Sequence, residues 1–244
     1  SLEILLFFNH NIIIHELCEY FKKYFSFTGH SRNLPKCKVS RDYRSKSYRY
    51  AYETIQIGAV LLDDSFKRIG TLCQYVHPEH GVIDYFIENL TGIKNSQVKK
   101  APKLEEVLIH IIDWLGERDY KIYAWSESDR EQLLHEIKAK NMTDERIQEF
   151  MKAEKWIDYQ EVYSKRFELS RRLSLEEALG RAEIDPDGRF HDGLDDAVNT
   201  SHLIEKMELN PEYQLVSYEM PDKPSEHLCS TLGELFAGLN LNFA

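Results

Sequence analysis

Residues 53–62 read ETIQIGAVLL and run without a charged side chain from Thr54 to the Asp63-Asp64 pair. β-Branched and apolar residues ending on a turn signal predict a strand, and a second such run at residues 69–76 predicts its hairpin partner. Working outward from this pair, apolar residues fall at Val107, Leu108, Ile111, Ile112 and Leu115. That three-and-four spacing predicts a helix with one buried face, and Gly116 stops it. Residues 121–125 read as a short strand. Ser126 and Ser128 then stand where a helix carrying Leu133, Leu134 and Ile137 on its inner side would be capped. A final helix is expected over residues 194–207, presenting Leu194, Val198 and Ile204 after the turn Asp185-Pro186-Asp187-Gly188. A hairpin followed by alternating elements predicts an α/β architecture, a mixed sheet flanked by helices.

The chain has 244 residues, room for one substantial domain with extensions. Hydrophobic residues make up 42% and aromatic residues 12%, enough for a packed core despite 30% charged residues. The net charge of −10 argues against a protein that coats nucleic acid by bulk electrostatics. Phosphate chemistry would have to rely on local charge, for which acids holding divalent cations are one solution. Cys18, Cys37, Cys73 and Cys229 lie far apart with no paired spacing, so reduced thiols in a cytosolic protein are expected rather than zinc or a redox pair.

The ends are less legible. The apolar start at residues 2–14 is broken by Asn9, His10 and Asn11 and has no basic lead, which fits neither a membrane span nor a signal peptide. With Ser at position 1, the authentic start is expected upstream. Three regions result: residues 1–31 of unknown role, a domain over residues 32–209, and an extension over residues 210–244 with a short helix near Leu232, Leu235, Phe236 and Leu239. Within the domain, Arg32, Lys36, Lys38, Arg41, Arg44, Lys46 and Arg49 face one acid, Asp42, and form a local basic loop.

Two places carry candidate chemistry. In His191-Asp192-Gly193-Leu194-Asp195-Asp196 a loop histidine and an acid one turn into the next helix can face a single site. Alone, the cluster is what any helix start attracts, because acids there stabilise the macrodipole. Asp129 stands where a strand gives way to a helix, a position at which α/β active sites gather, although an ordinary first-turn acid reads the same way.

Taken together and in order, these segments resemble the DEDDh, DnaQ-like 3′-to-5′ exonucleases of the RNase H-like superfamily. ETIQIGAVLLDD resembles the family's second strand, and YVHPEHGVIDYFIENLTGI its approach to the Thr-Gly-Ile turn. AWSESD resembles its second motif and HDGLDDAVNT its third. The resemblance implies a mixed sheet of the RNase H type and hydrolysis of phosphodiesters at a 3′ end by two divalent ions, Mg²⁺ or Mn²⁺. It makes Asp129 and Asp196 metal ligands and His191 the general base, a role an imidazole with a pKa of about 6.5 suits near neutral pH. The implied partner is the single-stranded 3′ end of DNA or RNA, with no membrane and no inferable protein partner.

One part of the pattern is not found. The family's first motif, Asp-x-Glu at the end of the first strand, is best placed at Asn33-Leu34-Pro35, where neither side chain supplies a charge. Asn9-His10-Asn11 and Ser1-Leu2-Glu3 are further placements, both distant along the chain, with Glu53 and Asp42 as candidate substitutes. The alternative reading is a degenerate relative that keeps the fold and binds nucleic acid or protein without cutting.

Overall fold

The computed structural model describes residues 2–10 and 53–218. Its sheet has the strand order β3-β2-β1-β4-β5, formed by β1 (Leu2–His10), β2 (Thr54–Leu62), β3 (Arg68–Tyr75), β4 (Tyr120–Ala124) and β5 (Trp156–Asp158). β2 pairs antiparallel with β1 and β3, whereas β4 runs parallel to both β1 and β5. This is the mixed sheet that the sequence predicts, including its hairpin.

The apolar run of β2 now has its reason. Every residue from Thr54 to Leu62 is buried, because both faces of the strand are covered. Alternation sends Ile57, Ala59 and Leu61 to one core and Val60 and Leu62 to the other. The first core is closed by α3 (Leu104–Leu115), α4 (Glu127–Ala139) and α5 (Glu145–Phe150). The second is closed by α6 (Tyr159–Arg166), α7 (Leu175–Arg181) and α8 (Gly193–Leu209). Two short helices, α1 (Tyr85–Thr91) and α2 (Asn95–Val98), cover the end of the hairpin around Ile55 and Ile83.

Residues 104–115 form the expected helix, burying Leu104, Val107, Leu108, Ile111 and Leu115 and ending at Gly116 with φ of 62°. Two details differ. Ser126 occupies the N-cap of α4 but makes no side-chain cap bond, its hydroxyl being engaged with that of Ser128. Leu134 points outward at 36% exposure, leaving Leu133 and Ile137 to fill the core.

Leu2–His10, within the N-terminal residues to which the sequence assigns no fold or role, forms the central strand of the sheet. The basic loop at residues 32–49, the placement at residues 33–35, Asp42 and the C-terminal helix lie outside the described residues. Of the extension, residues 211–218 follow α7: the Val216 amide donates to the Arg181 carbonyl at 3.0 Å, and the Tyr218 ring lies against Gly180. Among the described residues no helix is long and apolar enough to cross a membrane.

Candidate active site

The parallel pairing of β1 with β4, through Leu2↔Tyr120 to Leu5↔Tyr123, brings the C-terminal ends of both strands to one edge of the sheet. The chain leaving β4 turns directly into α4, whose first turn carries Asp129, only 7% exposed. On the other face, α8 packs across β2 and β1. Gly58 makes that approach possible: a Cβ there would stand 2.1 Å from the carbonyl carbon of Gly193, inside any real contact distance. Glycine within a strand is a signal of close backbone approach, here by the first residue of α8.

Gln56, two residues earlier, fixes the helix start with both ends of its carboxamide. Its Nε2 donates to Asp192 Oδ2 at 2.9 Å, and its Oε1 accepts from the Gly193 amide at 2.8 Å. Asp192 is the N-cap of α8, its Oδ1 accepting from the amides of Leu194 and Asp195. Asp195 accepts from the Arg189 amide at 2.8 Å, and buried Asn199 grips the backbone of Asp187 in both directions at 2.8 and 2.9 Å. Arg189 reaches across to the Asn89 carbonyl, tying this loop to α1.

The loop so held presents His191 with φ of 67°, in the left-handed region. Non-glycine residues adopt it at a cost and mainly where surrounding contacts impose it. One such contact is the His191 amide donating to Asp196 Oδ2 at 3.1 Å. The other carboxylate oxygen of Asp196, Oδ1, is buried without a hydrogen-bond partner. Burial chiefly, then the charges of Asp192, Asp129 and Asp195, push this carboxyl up to about 7, against the opposing pull of the His191 amide. The three candidates are neighbours to this extent: the backbone amide of His191 bonds Asp196, and Asp129 is close enough for its charge to act on Asp196.

A divalent cation fits this pair. A carboxylate with a buried, unsatisfied oxygen beside a second acid is short of positive charge, and hard oxygen donors suit Mg²⁺ or Mn²⁺. Glu53 does not belong to the set. It accepts from the amides of Glu79 and His80, each at 2.9 Å, and pairs with Lys140 at 3.0 Å, so its charge is spent on structure. Gln56, Asn199 and Arg189 were not singled out from sequence. Gly58 carried a readable signal, because a glycine inside an otherwise continuous strand needs a reason.

A family model described as Exonuclease (RNase_T) matches residues 49–204. The chain belongs to this exonuclease family. Among curated proteins, mouse 3′-5′ exoribonuclease 1 is 28% identical over 165 residues, covering 65% of this chain and 47% of the relative. Human ERI1 exoribonuclease 2 is 31% identical over 184 residues, covering 66% of this chain and 26% of the relative. This exonuclease-family chain therefore spans about half, or less, of the length of the relatives it matches. Among the solved structures that share its fold are two exonucleases. The nuclease domain of 3′hExo, a DEDDh family member bound to rAMP, superposes with a TM-score of 0.61 at 23% identity, covering 89% of this chain and 97% of that one. A 3′-exonuclease described in 3′-end specific recognition of histone mRNA stem-loop superposes with a TM-score of 0.63 at 22% identity, covering 90% and 92%. The fold is accordingly the RNase H-like fold of the DEDDh exonucleases.

Proposed function

We propose that this chain is a 3′-to-5′ exonuclease acting on single-stranded ends of RNA or DNA, with Asp129 and Asp196 holding divalent cations, Mg²⁺ or Mn²⁺, and His191 as general base. The observation that carries the reading is the meeting of Asp129, His191 and Asp196 from two separate segments at the edge where β1 and β4 end. The names of the relatives make RNA the first substrate to try. Free Cys73 and the absence of any paired cysteine spacing suit a cytosolic setting.

Divalent cations, when bound, supply charge to stabilise the attacking and leaving oxygens of an in-line displacement at phosphorus. The chain's own residues do the rest. Asp129 and Asp196 hold the cation, and the loop tied down by Asn199 and Arg189 keeps His191 beside Asp196 through its amide. There the imidazole accepts the proton of the attacking water, a transfer typically worth 10²–10⁴-fold. His191→Ala should lower turnover by about that factor and leave Mn²⁺ uptake unchanged; unaltered turnover removes His191 from the mechanism.

A second reading has an observation in its favour. The first Asp-x-Glu that the family resemblance calls for is not found, its best placement being Asn33-Leu34-Pro35 and a further one Asn9-His10-Asn11. A chain that binds nucleic acid without cutting would follow. The deciding experiment uses 5′-labelled RNA and DNA oligomers with Mg²⁺ or Mn²⁺, with and without EDTA. Laddering from the 3′ end that EDTA abolishes supports the exonuclease; oligomers bound but intact support the binding module.

A further inference from the structure

Residues 94–103 read KNSQVKKAPK, four lysines without an acid in a chain whose net charge is −10. Lys94, Lys99, Lys100 and Lys103 are all exposed. Close by in the chain stand Tyr85 and Val82, at 81% and 71% the most exposed large apolar side chains among the described residues. The turn before α1 is clamped to the start of α2: the Ile83 amide donates to Asn95 Oδ1 at 2.9 Å, and the Ile83 carbonyl accepts from Asn95 Nδ2 at 2.7 Å. Ile83, Ile87, Ile93 and Val98 pack beneath as one cluster, so the two helices form a single flank of the molecule. Its acids are engaged locally. Asp84 caps α1, Glu88 stands 3.9 Å from Lys94, and Glu79 pairs with Lys103 at 2.6 Å.

This flank borders the loop that carries His191. Arg189 of that loop donates to the Asn89 carbonyl in the last turn of α1, and its guanidinium lies against Gly92, where a Cβ would stand 2.6 Å from Nη1. At α2, Gln97 donates to the Tyr75 hydroxyl at 3.0 Å, and Tyr75 is the β3 residue opposite Gln56, which holds the start of α8. From Tyr85 to Asn89 is one turn of helix, roughly 6 Å. An exposed aromatic ring for a base and lysines for phosphates are the two parts of a surface for single strands. In a chain of negative net charge, a local run of lysines is what draws phosphate in. We propose that the flank formed by α1 and α2 binds the single-stranded nucleic acid leading to the site, Tyr85 stacking on a base and Lys99 and Lys100 meeting phosphates. The proposal rests on the exonuclease reading only in placing the 3′ end at Asp129, His191 and Asp196.

The test is binding of a 5′-labelled oligouridylate of about twelve nucleotides by the full chain in EDTA, read by fluorescence anisotropy over a range of salt. Tyr85→Ala should weaken binding about tenfold at fixed salt, as loss of one base–aromatic stack does. Lys99→Gln combined with Lys100→Gln should lower the slope of log affinity against log salt by about 1.4, two phosphates at about 0.7 each. All three side chains are exposed, so both variants should keep the fold, which circular dichroism checks. Unchanged affinity in the first variant together with an unchanged slope in the second overturns the proposal, and either alone removes the contact assigned to that side chain. A parent chain that leaves the oligomer free at about 100 μM overturns it as well. Adding Mg²⁺ separates this proposal from the exonuclease reading. Laddering by the parent chain, with binding indifferent to both variants, overturns the proposal and leaves the exonuclease standing. Binding that responds to both variants without any laddering keeps the flank and overturns the exonuclease.

Discussion

Helix α4 carries two buried acids seven residues apart on one face, and they live in opposite electrostatic surroundings. Glu136, near its C-terminal end, is paired with Lys140 at 3.0 Å and accepts from the amide and hydroxyl of Thr54 at 2.7 and 2.6 Å. The same ammonium holds Glu53 at 3.0 Å and reaches Glu79 at 3.6 Å. Burial works against the charge on Lys140, yet Glu136 and Glu53 outweigh it and hold the ammonium above its usual range. Asp129, at the other end of α4, faces Asp196, whose partners in the described structure are a single amide and further acids. The first cluster contains its own cation; in the second, Asp196 Oδ1 is buried without a hydrogen-bond partner among the described residues. Buried charge that serves the fold is compensated from within, and buried charge left uncompensated marks a place where a ligand completes the structure.

Breaking each cluster should therefore move stability in opposite directions. Lys140→Met leaves Glu53 and Glu136 buried without their cation and should cost about 3–5 kcal/mol in urea unfolding, because removing one partner strands the other. Asp196→Asn should stabilise the chelated protein. The sign follows from a folded-state carboxyl raised to about 7 from 3.8: deprotonation is harder in the folded chain, so the penalty grows as pH rises between those values and is full above them. At about 1.4 kcal/mol per pH unit the gain approaches 4 kcal/mol at pH 8 as an upper bound and vanishes near pH 4. Thermal melts of both chains in EDTA across that range give the result. Equal destabilisation by the two substitutions would dissolve the distinction between the clusters.

The same contrast marks what the sequence could say. The hairpin and α3 were readable because period two and the three-and-four spacing are local. β1 was not, since periodicity cannot tell a short apolar run that forms a strand from one that forms part of a helix. β5, three residues long, and the short helices α5, α6 and α7 are held by packing rather than pattern. At the site, Asp129, His191 and Asp196 are proposed from motifs that keep their order along the chain. The long-range bonds around them were not readable: Gln56 grips Gly193 from 137 residues away, and Lys140 pairs with Glu53 from a distant part of the chain. Such bonds join residues whose separation follows no period, so no local rule exposes them.

Gly58 offers the finest test of the comparison, because it touches one cluster and not the other. Its missing side chain lets Gly193 sit on β2, and the nearest atoms to the added methyl of Gly58→Ala would be backbone, at 2.1 to 2.3 Å. No rotamer relieves such a clash, so α8 must lift from the sheet at a cost of about 1–3 kcal/mol. Lifting α8 carries Asp196 away from Asp129 and opens it to water. Both changes relax its carboxyl toward the ordinary range, so the pH dependence of melting in EDTA should flatten between pH 4 and pH 8. Mn²⁺ should bind more weakly for the same reason. The Lys140 cluster, anchored on α4 and the start of β2, should keep its response to Lys140→Met. A Gly58→Ala chain that melts with an unchanged pH profile would mean that α8 does not set the spacing of the two aspartates.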